Sequence, residues 1–233
     1  MLPGPATVTV NALAVLLRAL SMGELPVAIR PGAVWTDADG AREAEETAWA
    51  EFRRERWADT SGRLGDDALD CLSVLSRPAV EHIAIVARDG RQDSIVLAGR
   101  GSIAVLAVRK GDSVHLTPLR DRSPEPLLRR LPDKPPAQID ALNVRLEDAA
   151  SGATPDARLL AELGRRPLVG QGELYVGVRD RHGRRRLSAP IRYQDYPIGR
   201  VVVVASDGYL SVVPGTKPLL LARLREAHRT LTA

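Results

Sequence analysis

The chain has 233 residues, of which 44% are apolar, 27% charged and only 3% aromatic, so a packed core has to be built mainly from Val, Leu, Ile and Ala. Its single cysteine, Cys71, excludes an internal disulfide and the paired-cysteine motifs of metal and redox sites. A formal net charge of +4 is only weak support for a nucleic-acid partner. No apolar run is long enough to span a membrane and the N-terminus lacks a basic start, which predicts a soluble, cytoplasmic protein.

The first half of the sequence predicts helices followed by a run of strands. A short strand at about 6–10 leads into a helix at 11–22, and a second helix follows at 66–76. Four strands in hairpin succession come next, at 80–88, 94–99, 102–109 and 113–117. A helix that begins with proline, at 126–131, ends this half.

The second half predicts the same order of elements. A strand at 137–139 leads into a helix at 140–150, and Thr154 caps a second helix at 155–163. Four strands follow, at 172–179, 185–193, 199–205 and 209–213. A closing helix starts at Pro218.

The two halves also repeat short sequence features in the same order. The pairs are SRPAVEHIAIVARDG with RRPLVGQGELYVGVRDRHG, VLAVRKGDSVHLTP with VVVVASDGYLSVVPG, and PLLRRL with PLLLARL. Each pair reads as a strand or helix bounded by the same Pro, Gly or Asp. The sequence therefore predicts a single domain over 1–233 made of two copies, about 6–131 and about 137–232, joined by a linker at 132–137.

The first copy carries extra residues. Val10 corresponds to Ile139 at an offset of 129, whereas Pro78 corresponds to Pro167 at an offset of 89, so the first copy has 40 more residues. These lie within about 23–65 and include all three tryptophans and the one phenylalanine: Trp35, Trp49, Phe52 and Trp57. Trp49 and Phe52 are one helical turn apart, and we expect them to pack on the core.

Strands in hairpin succession, flanked by helices, indicate an α+β fold rather than a parallel sheet. Each four-stranded meander alone would leave an open edge, so the two should pair into one central antiparallel sheet about a quasi-two-fold axis. Helical bundles are expected to flank this sheet.

The sequence contains none of the common catalytic or cofactor-binding motifs. The four histidines, at 82, 115, 182 and 228, have no metal-binding spacing, and no nucleophile elbow, phosphate-binding loop or dinucleotide-binding loop occurs. Cys71 falls on the apolar stripe of its helix and is expected to be buried and inert. Asp66, Asp67 and Asp70 lie at the start of the same helix, where they favour its dipole. We therefore expect no enzyme activity, no cofactor and no metal.

The most basic run is RDRHGRRRL at 179–187. It spans a hairpin turn at His182-Gly183, where solvated charge is usual, but it could also bind the phosphates of a nucleic acid. A basic nucleic-acid-binding protein is therefore the alternative function, although no aromatic residue interleaves the run to stack on a base.

The segment RYQDYPIGRVVVVASDGYLSVVPG at 192–215 resembles the EspG family of type VII (ESX) secretion chaperones, as do GELP at 23–26 and LSRP at 75–78. Its specific part is the run Asp195, Pro197, Gly199 and Arg200. The resemblance implies a cytosolic, non-enzymatic chaperone with a quasi-two-fold central sheet, which shields the apolar tip of a secreted PE–PPE heterodimer. A WXG100-like helical hairpin is the other partner class, and neither nucleic acid nor membrane is expected as a partner.

The same resemblance implies where the partner binds. In the family the loop between the first two meander strands, the edge of the sheet and the C-terminal helices meet the partner. In this sequence that loop consists of Arg88, Asp89, Gly90, Arg91, Gln92 and Asp93. The motif at 195–200 is expected to be structural: Gly199 allows a close backbone approach, and Arg200 is expected to hold Asp195.

Overall fold

The computed structural model describes residues 2–32, 37–149, 151–181, 183–206 and 208–233. Trp35 of the aromatic group, His182 of the basic turn and Asp207 of the last hairpin lie outside these residues. Among the helices of the described ranges, none has the length and apolarity needed to cross a membrane.

The described part of the first half contains four α-helices and five strands. They are β1 (Ala6–Thr9), α1 (Val10–Ala19), α2 (Ala38–Arg54), α3 (Asp66–Ser76), β2 (Val80–Arg88), β3 (Arg91–Arg100), β4 (Ile103–Lys110), β5 (Ser113–Leu119) and α4 (Glu125–Leu128). A short 3-10 helix spans Val27–Ile29. The helix α3 begins with Asp66 and Asp67 in its first turn, as the dipole argument predicts.

In the second half, the described residues form two helices and six strands. They are β6 (Leu142–Arg145), α5 (Pro155–Gly164), β7 (Gly170–Asp180), β8 (Gly183–Arg186), β9 (Ile191–Tyr196), β10 (Gly199–Ser206), β11 (Tyr209–Pro214) and α6 (Lys217–Thr232). The hydroxyl of Thr154 caps α5 and that of Thr216 caps α6, and each helix has proline in its first turn.

All eleven strands of the described residues join one antiparallel sheet, in the order β1-β5-β4-β3-β2-β7-β9-β10-β11-β6, with β8 paired to β7 beside β9. The central pair is β2 with β7, in the register Val80↔Val178 to Ala87↔Gln171. The predicted α+β class with a central antiparallel sheet is confirmed. The order reads alike from either edge, which agrees with two copies, although the duplication and its boundaries stay a prediction.

Alternating strand residues divide the core between the two faces of the sheet. On one face, helices α1, α2 and α3 cover the first half, where Phe52 is fully buried and Trp49 packs against the same cluster. On this face of the second half α5 covers a smaller cluster around Val201 and Val212. Helices α4 and α6 cover the opposite face over residues such as Leu97 and Leu174.

Three sequence predictions for the second half are wrong. Residues 140–150 were expected to be helical, but 142–145 form the edge strand β6, because Leu142 and Val144 pair with β11 and bury their side chains. The strand expected at 137–139 is absent from these described residues. The strand expected at 185–193 is divided into β8 and β9 by a segment that ends in Pro190, which has no N–H to donate to the sheet.

Candidate partner-binding site

The loop predicted at 88–93 is in fact a two-residue turn at the tip of the β2–β3 hairpin. Asp89 and Gly90 have φ of 53° and 71°, the left-handed pair that a two-residue hairpin favours. Residues 91–93 belong to β3 and pair with 86–88 of β2. The prediction failed here because the ladder continues through these polar residues to the end of the hairpin.

Two arginines face each other at this tip. Arg88 and Arg91 are direct cross-strand partners, an arrangement that like charges make unfavourable. The Arg88 Nε donates to the Asp89 carboxylate at 2.9 Å, and this hydrogen bond raises the pKa of Arg88. Arg91 has no carboxylate partner among the described residues. The tip therefore presents a cation that an anionic group of a partner could neutralise.

A cleft of about 1210 Å³ opens beside the tip, on the α4–α6 face of the sheet, and we call it the hairpin cleft. Its apolar lining includes Val86, Ile95 and Val108. Its basic lining residues are Arg88, Arg91, Lys110 and Arg130, and its carboxylates are Asp89 and Asp93. Five of the six predicted partner-binding residues line this cleft, the exception being Gly90.

The second predicted motif forms a buried ion pair. The Arg200 guanidinium donates to Asp195 Oδ1 at 2.7 Å and to Oδ2 at 2.8 Å, and Arg200 is 1% exposed. It also lies over the ring of Tyr193, 4.1 Å from the centroid. Burial raises the pKa of Tyr193 to about 12, so the ring stays neutral beside the pair. The expected bond between Arg200 and Asp195 is confirmed.

Arg200 also holds the segment between the two halves. Its N–H donates to the Pro135 carbonyl at 2.7 Å, its carbonyl accepts from Ala137 N at 2.8 Å, and its guanidinium donates to the Pro132 carbonyl at 3.0 Å. Gly199 has φ of 124°, and a Cβ there would lie 2.6 Å from the Ala137 Cα. The predicted close backbone approach at Gly199 is therefore confirmed, with residues 132–137 as the neighbouring chain. Pro197 lies in the turn between β9 and β10.

This motif adjoins the hairpin cleft. Pro132, whose carbonyl bonds Arg200, also lines the cleft. A Cβ at Gly170 would stand 3.5 Å from Asp195 Oδ2 and 3.7 Å from Arg88 Cγ. The structure therefore brings the two predicted groups together: the Asp195–Arg200 pair holds Pro132 at the side of the cleft whose rim contains Arg88.

The structure distributes the basic run 179–187 among separate partners. Arg184 forms an ion pair with the buried Glu81, and Arg185 pairs with Asp180 at 2.8 Å. The Arg186 guanidinium lies 4.1 Å from the centroid of the Tyr175 ring. These contacts engage three of the arginines in the run, so the nucleic-acid alternative gains no support from them.

Among the described residues we find neither a metal-binding cluster nor a reactive thiol. No group of three or more His, Cys, Asp or Glu side chains there is placed to hold a metal ion. Cys71 is fully buried, and burial, with the nearby Asp70 and Asp67 charges, raises the pKa of its thiol to about 11, so the thiolate does not form near neutral pH.

A sequence model of the EspG family matches residues 9–226, nearly the whole chain. The chain belongs to the EspG family. In three dimensions this EspG-family chain is similar to the Mycobacterium tuberculosis type VII secretion system chaperone EspG5, solved in complex with the PE25–PPE41 dimer, with a TM-score of 0.75 and 18% sequence identity over 97% of this chain and 96% of EspG5. No curated protein sequence matches it.

Sequence reasoning missed the side of the cleft formed by Lys110, Arg130 and Pro132. The position of Lys110 can be predicted from topology, because alternate hairpins of a meander place their turns at the same end of a sheet. Arg130 and Pro132 carry no local signal, because the path of the chain after α4 is fixed by the bond of Pro132 to Arg200.

Proposed function

We propose that this EspG-family chain is a non-enzymatic, cytosolic chaperone of type VII secretion that binds the tip of a secreted PE–PPE-like heterodimer in the hairpin cleft. The observation that carries the proposal is the cleft itself, in which predicted partner-binding residues surround an apolar floor. Burial of a few apolar anchors on that floor would supply affinity, and the charged rim would supply orientation and specificity.

The proposed class of partner, a PE–PPE heterodimer, is inferred from the similarity to EspG5. EspG5 is solved with the PE25–PPE41 dimer, and the two chains have similar folds over nearly their full lengths. The apolar floor suits an apolar helical tip, whereas the mixed charges around it suit a partner with a polar surround. A WXG100-like pair is the comparison partner in the test.

The experiment is calorimetric titration of the purified chain with a purified PE–PPE heterodimer. The double variant Arg88→Glu with Arg91→Glu should bind about tenfold more weakly or worse, equivalent to about 1.4 kcal/mol. Both side chains lie on the cleft rim at the hairpin tip, so folding should be little changed.

The control has to avoid Arg184, because reversal there would place a second carboxylate beside the buried Glu81. Arg56→Glu with Arg63→Glu is suitable: both residues are exposed between α2 and α3, on the other face of the sheet. Each pair of reversals replaces two positive charges with two negative ones and so lowers the net charge by four, from +4 to 0, so long-range electrostatics are matched. Equal losses in the two variants would contradict the assigned surface, and binding of a WXG100-like pair alone would contradict the partner class.

A further inference from the structure

A basic pocket lies at the other end of β2, between the start of that strand, the end of β7 and the helix α6. Its volume is about 700 Å³. Five arginines line it: Arg120, Arg122, Arg179, Arg185 and Arg225. Two carboxylates, those of Asp121 and Asp180, line it as well, so the lining has an excess of positive charge, which raises the local concentration of anions. We call it the arginine pocket.

Two of the five arginines are already neutralised. Arg185 pairs with Asp180 at 2.8 Å, and Arg225 pairs with Glu125 at 2.5 Å. The other three, Arg120, Arg122 and Arg179, are exposed and have no carboxylate partner within the described residues. Their guanidinium groups are free to receive an anion.

An unpaired buried histidine lies at the base of the same pocket. His82 is 2% exposed, and neither ring nitrogen has a hydrogen-bond partner among the described residues. The ring of His228, from the last turns of α6, stands edge-on to it with centroids 6.1 Å apart. Burial, together with His228, lowers the pKa of His82 to about 4, so the ring is neutral near pH 7 and carries one N–H donor. A buried donor without an acceptor costs stability unless a ligand supplies one.

We propose that the arginine pocket binds a phosphate-type oxyanion, either free phosphate or the phosphoryl group of a larger solute. Arg120, Arg122 and Arg179 would hold its oxygens, since the planar guanidinium fork matches phosphate geometry. His228 donates the next hydrogen bond, and His82 becomes reachable when the His228 ring rotates. The volume of the pocket is in the range of small-molecule sites and exceeds what phosphate alone needs.

This site is separate from the hairpin cleft. The two lie at opposite ends of β2, and they have no lining residue in common. The proposal therefore does not rest on the chaperone function, and a solute bound here would not occupy the surface assigned to the partner.

The test is calorimetric titration of the full chain with sodium phosphate and, in a second arm, with glucose 6-phosphate, each against sodium chloride at matched ionic strength. Saturable binding of either phosphate compound is expected, and binding should weaken about tenfold or more in Arg120→Gln with Arg179→Gln. The control, Arg56→Gln with Arg63→Gln, removes the same charge elsewhere and should bind normally. Tighter binding of the ester identifies a phosphoryl solute, and tighter binding of phosphate identifies the free ion.

A second readout follows the histidines by NMR of their ring carbon–proton signals. Phosphate should shift the His228 and His82 signals and leave those of His115 unchanged. Equal heats from phosphate and chloride, equal losses in the two double variants, or unshifted His228 and His82 signals would each overturn the proposal.

Discussion

Arg200 joins parts of the chain that are far apart in sequence. One guanidinium bonds both oxygens of Asp195 and the carbonyl of Pro132, while its plane covers the Tyr193 ring. All of these contacts are buried or partly buried, so solvent cannot replace them. The motif that most resembles the family in sequence therefore has a structural role, next to the hairpin cleft.

Replacement of this arginine should be costly. In Arg200→Met the stem is retained but the Asp195 carboxylate is left buried without its partner, so we expect the free energy of unfolding to fall by about 3–5 kcal/mol. Urea unfolding measures the loss. The control is Arg192→Met, which breaks the exposed pair with Glu173; here the free energy of unfolding should fall by less than about 1 kcal/mol. Similar losses in the two variants would show that burial does not strengthen the Arg200 pair.

Gly199 should not accept a side chain. A Cβ there would lie 2.6 Å from backbone atoms of Ala137, and its φ of 124° is rarely adopted by other residues, so Gly199→Ala should destabilise by more than about 2 kcal/mol. Gly164 at the end of α5 has open space around it. Gly164→Ala should be neutral or slightly stabilising. Thermal unfolding of both variants checks the contrast, and a fully stable Gly199→Ala would rule out the close approach.

His82 should make the protein sensitive to acid. Its pKa of about 4 in the folded state lies below the usual value of 6.5, so between these values the unfolded state binds more protons and stability falls as the pH drops. Beside it stand His228 of α6 and Glu125 of α4. At about pH 5 the loss from His82 should be about 2 kcal/mol relative to pH 7.5. Urea unfolding at both pH values should show a smaller loss in His82→Gln, and an unchanged loss would refute the role of this ring.

At the scale of elements, helices protect both edges of the sheet. Thr7 N donates to the carboxylate of Glu55, the C-cap residue of α2, at 2.9 Å, and Thr9 N donates to that of Glu51 in α2 at 2.6 Å. At the opposite edge, Asn143 N donates to Asp156 of α5 at 2.9 Å. Edge N–H groups left open would offer a template for another strand.

Removal of the Glu51 and Glu55 carboxylates should therefore expose the β1 edge. Glu51→Ala with Glu55→Ala frees the N–H groups of Thr7 and Thr9, and concentration-dependent association should appear in size-exclusion chromatography with light scattering. Glu43→Ala with Glu46→Ala removes two exposed carboxylates from the same helix and is the matched control. If the Glu51→Ala with Glu55→Ala variant associates no more than the control does, these side chains do not protect the edge.

How well the sequence predicts an element depends on where its determinants lie. Strand β2 was predicted with its observed bounds because the alternation of its residues is a local signal. Helix α5 was predicted to within one residue because its Thr154 cap and the proline at its start are local signals as well. Strand β6 was predicted as helix because its state is decided by pairing with β11, which begins more than sixty residues later. Of the residues that line the cleft, the sequence predicted only those of the hairpin. Arg130 and Pro132 line it because the chain after α4 is held by the hydrogen bond between Pro132 and Arg200.

At the scale of the molecule, a symmetric sheet carries unequal helices. On one face the first half has α1, α2 and α3, whereas the second half has α5 and a smaller buried cluster. On the other face the hairpin cleft lies in the first half and is bounded by the segment after α4. The two halves therefore offer a partner different surfaces.

This asymmetry predicts one heterodimer for each chain. A mixture of the chain with an excess of a purified PE–PPE heterodimer should give a single complex with a stoichiometry of one to one, measured by light scattering coupled to chromatography. The Arg88→Glu with Arg91→Glu variant should form less of this complex, and no second complex should remain. A complex with two heterodimers for each chain would show that the second half binds as well as the first.

The central β2–β7 pair also sets a delay during synthesis of the chain. Ala87 pairs with Gln171 and Val80 with Val178, separations of 84 and 98 residues. At about 5–20 residues per second, a ribosome needs roughly 4–20 s to supply β7 after β2 has emerged. For that time the first half has its hairpins but an open apolar strand at its boundary, so the nascent chain is most prone to aggregate before its own second half arrives.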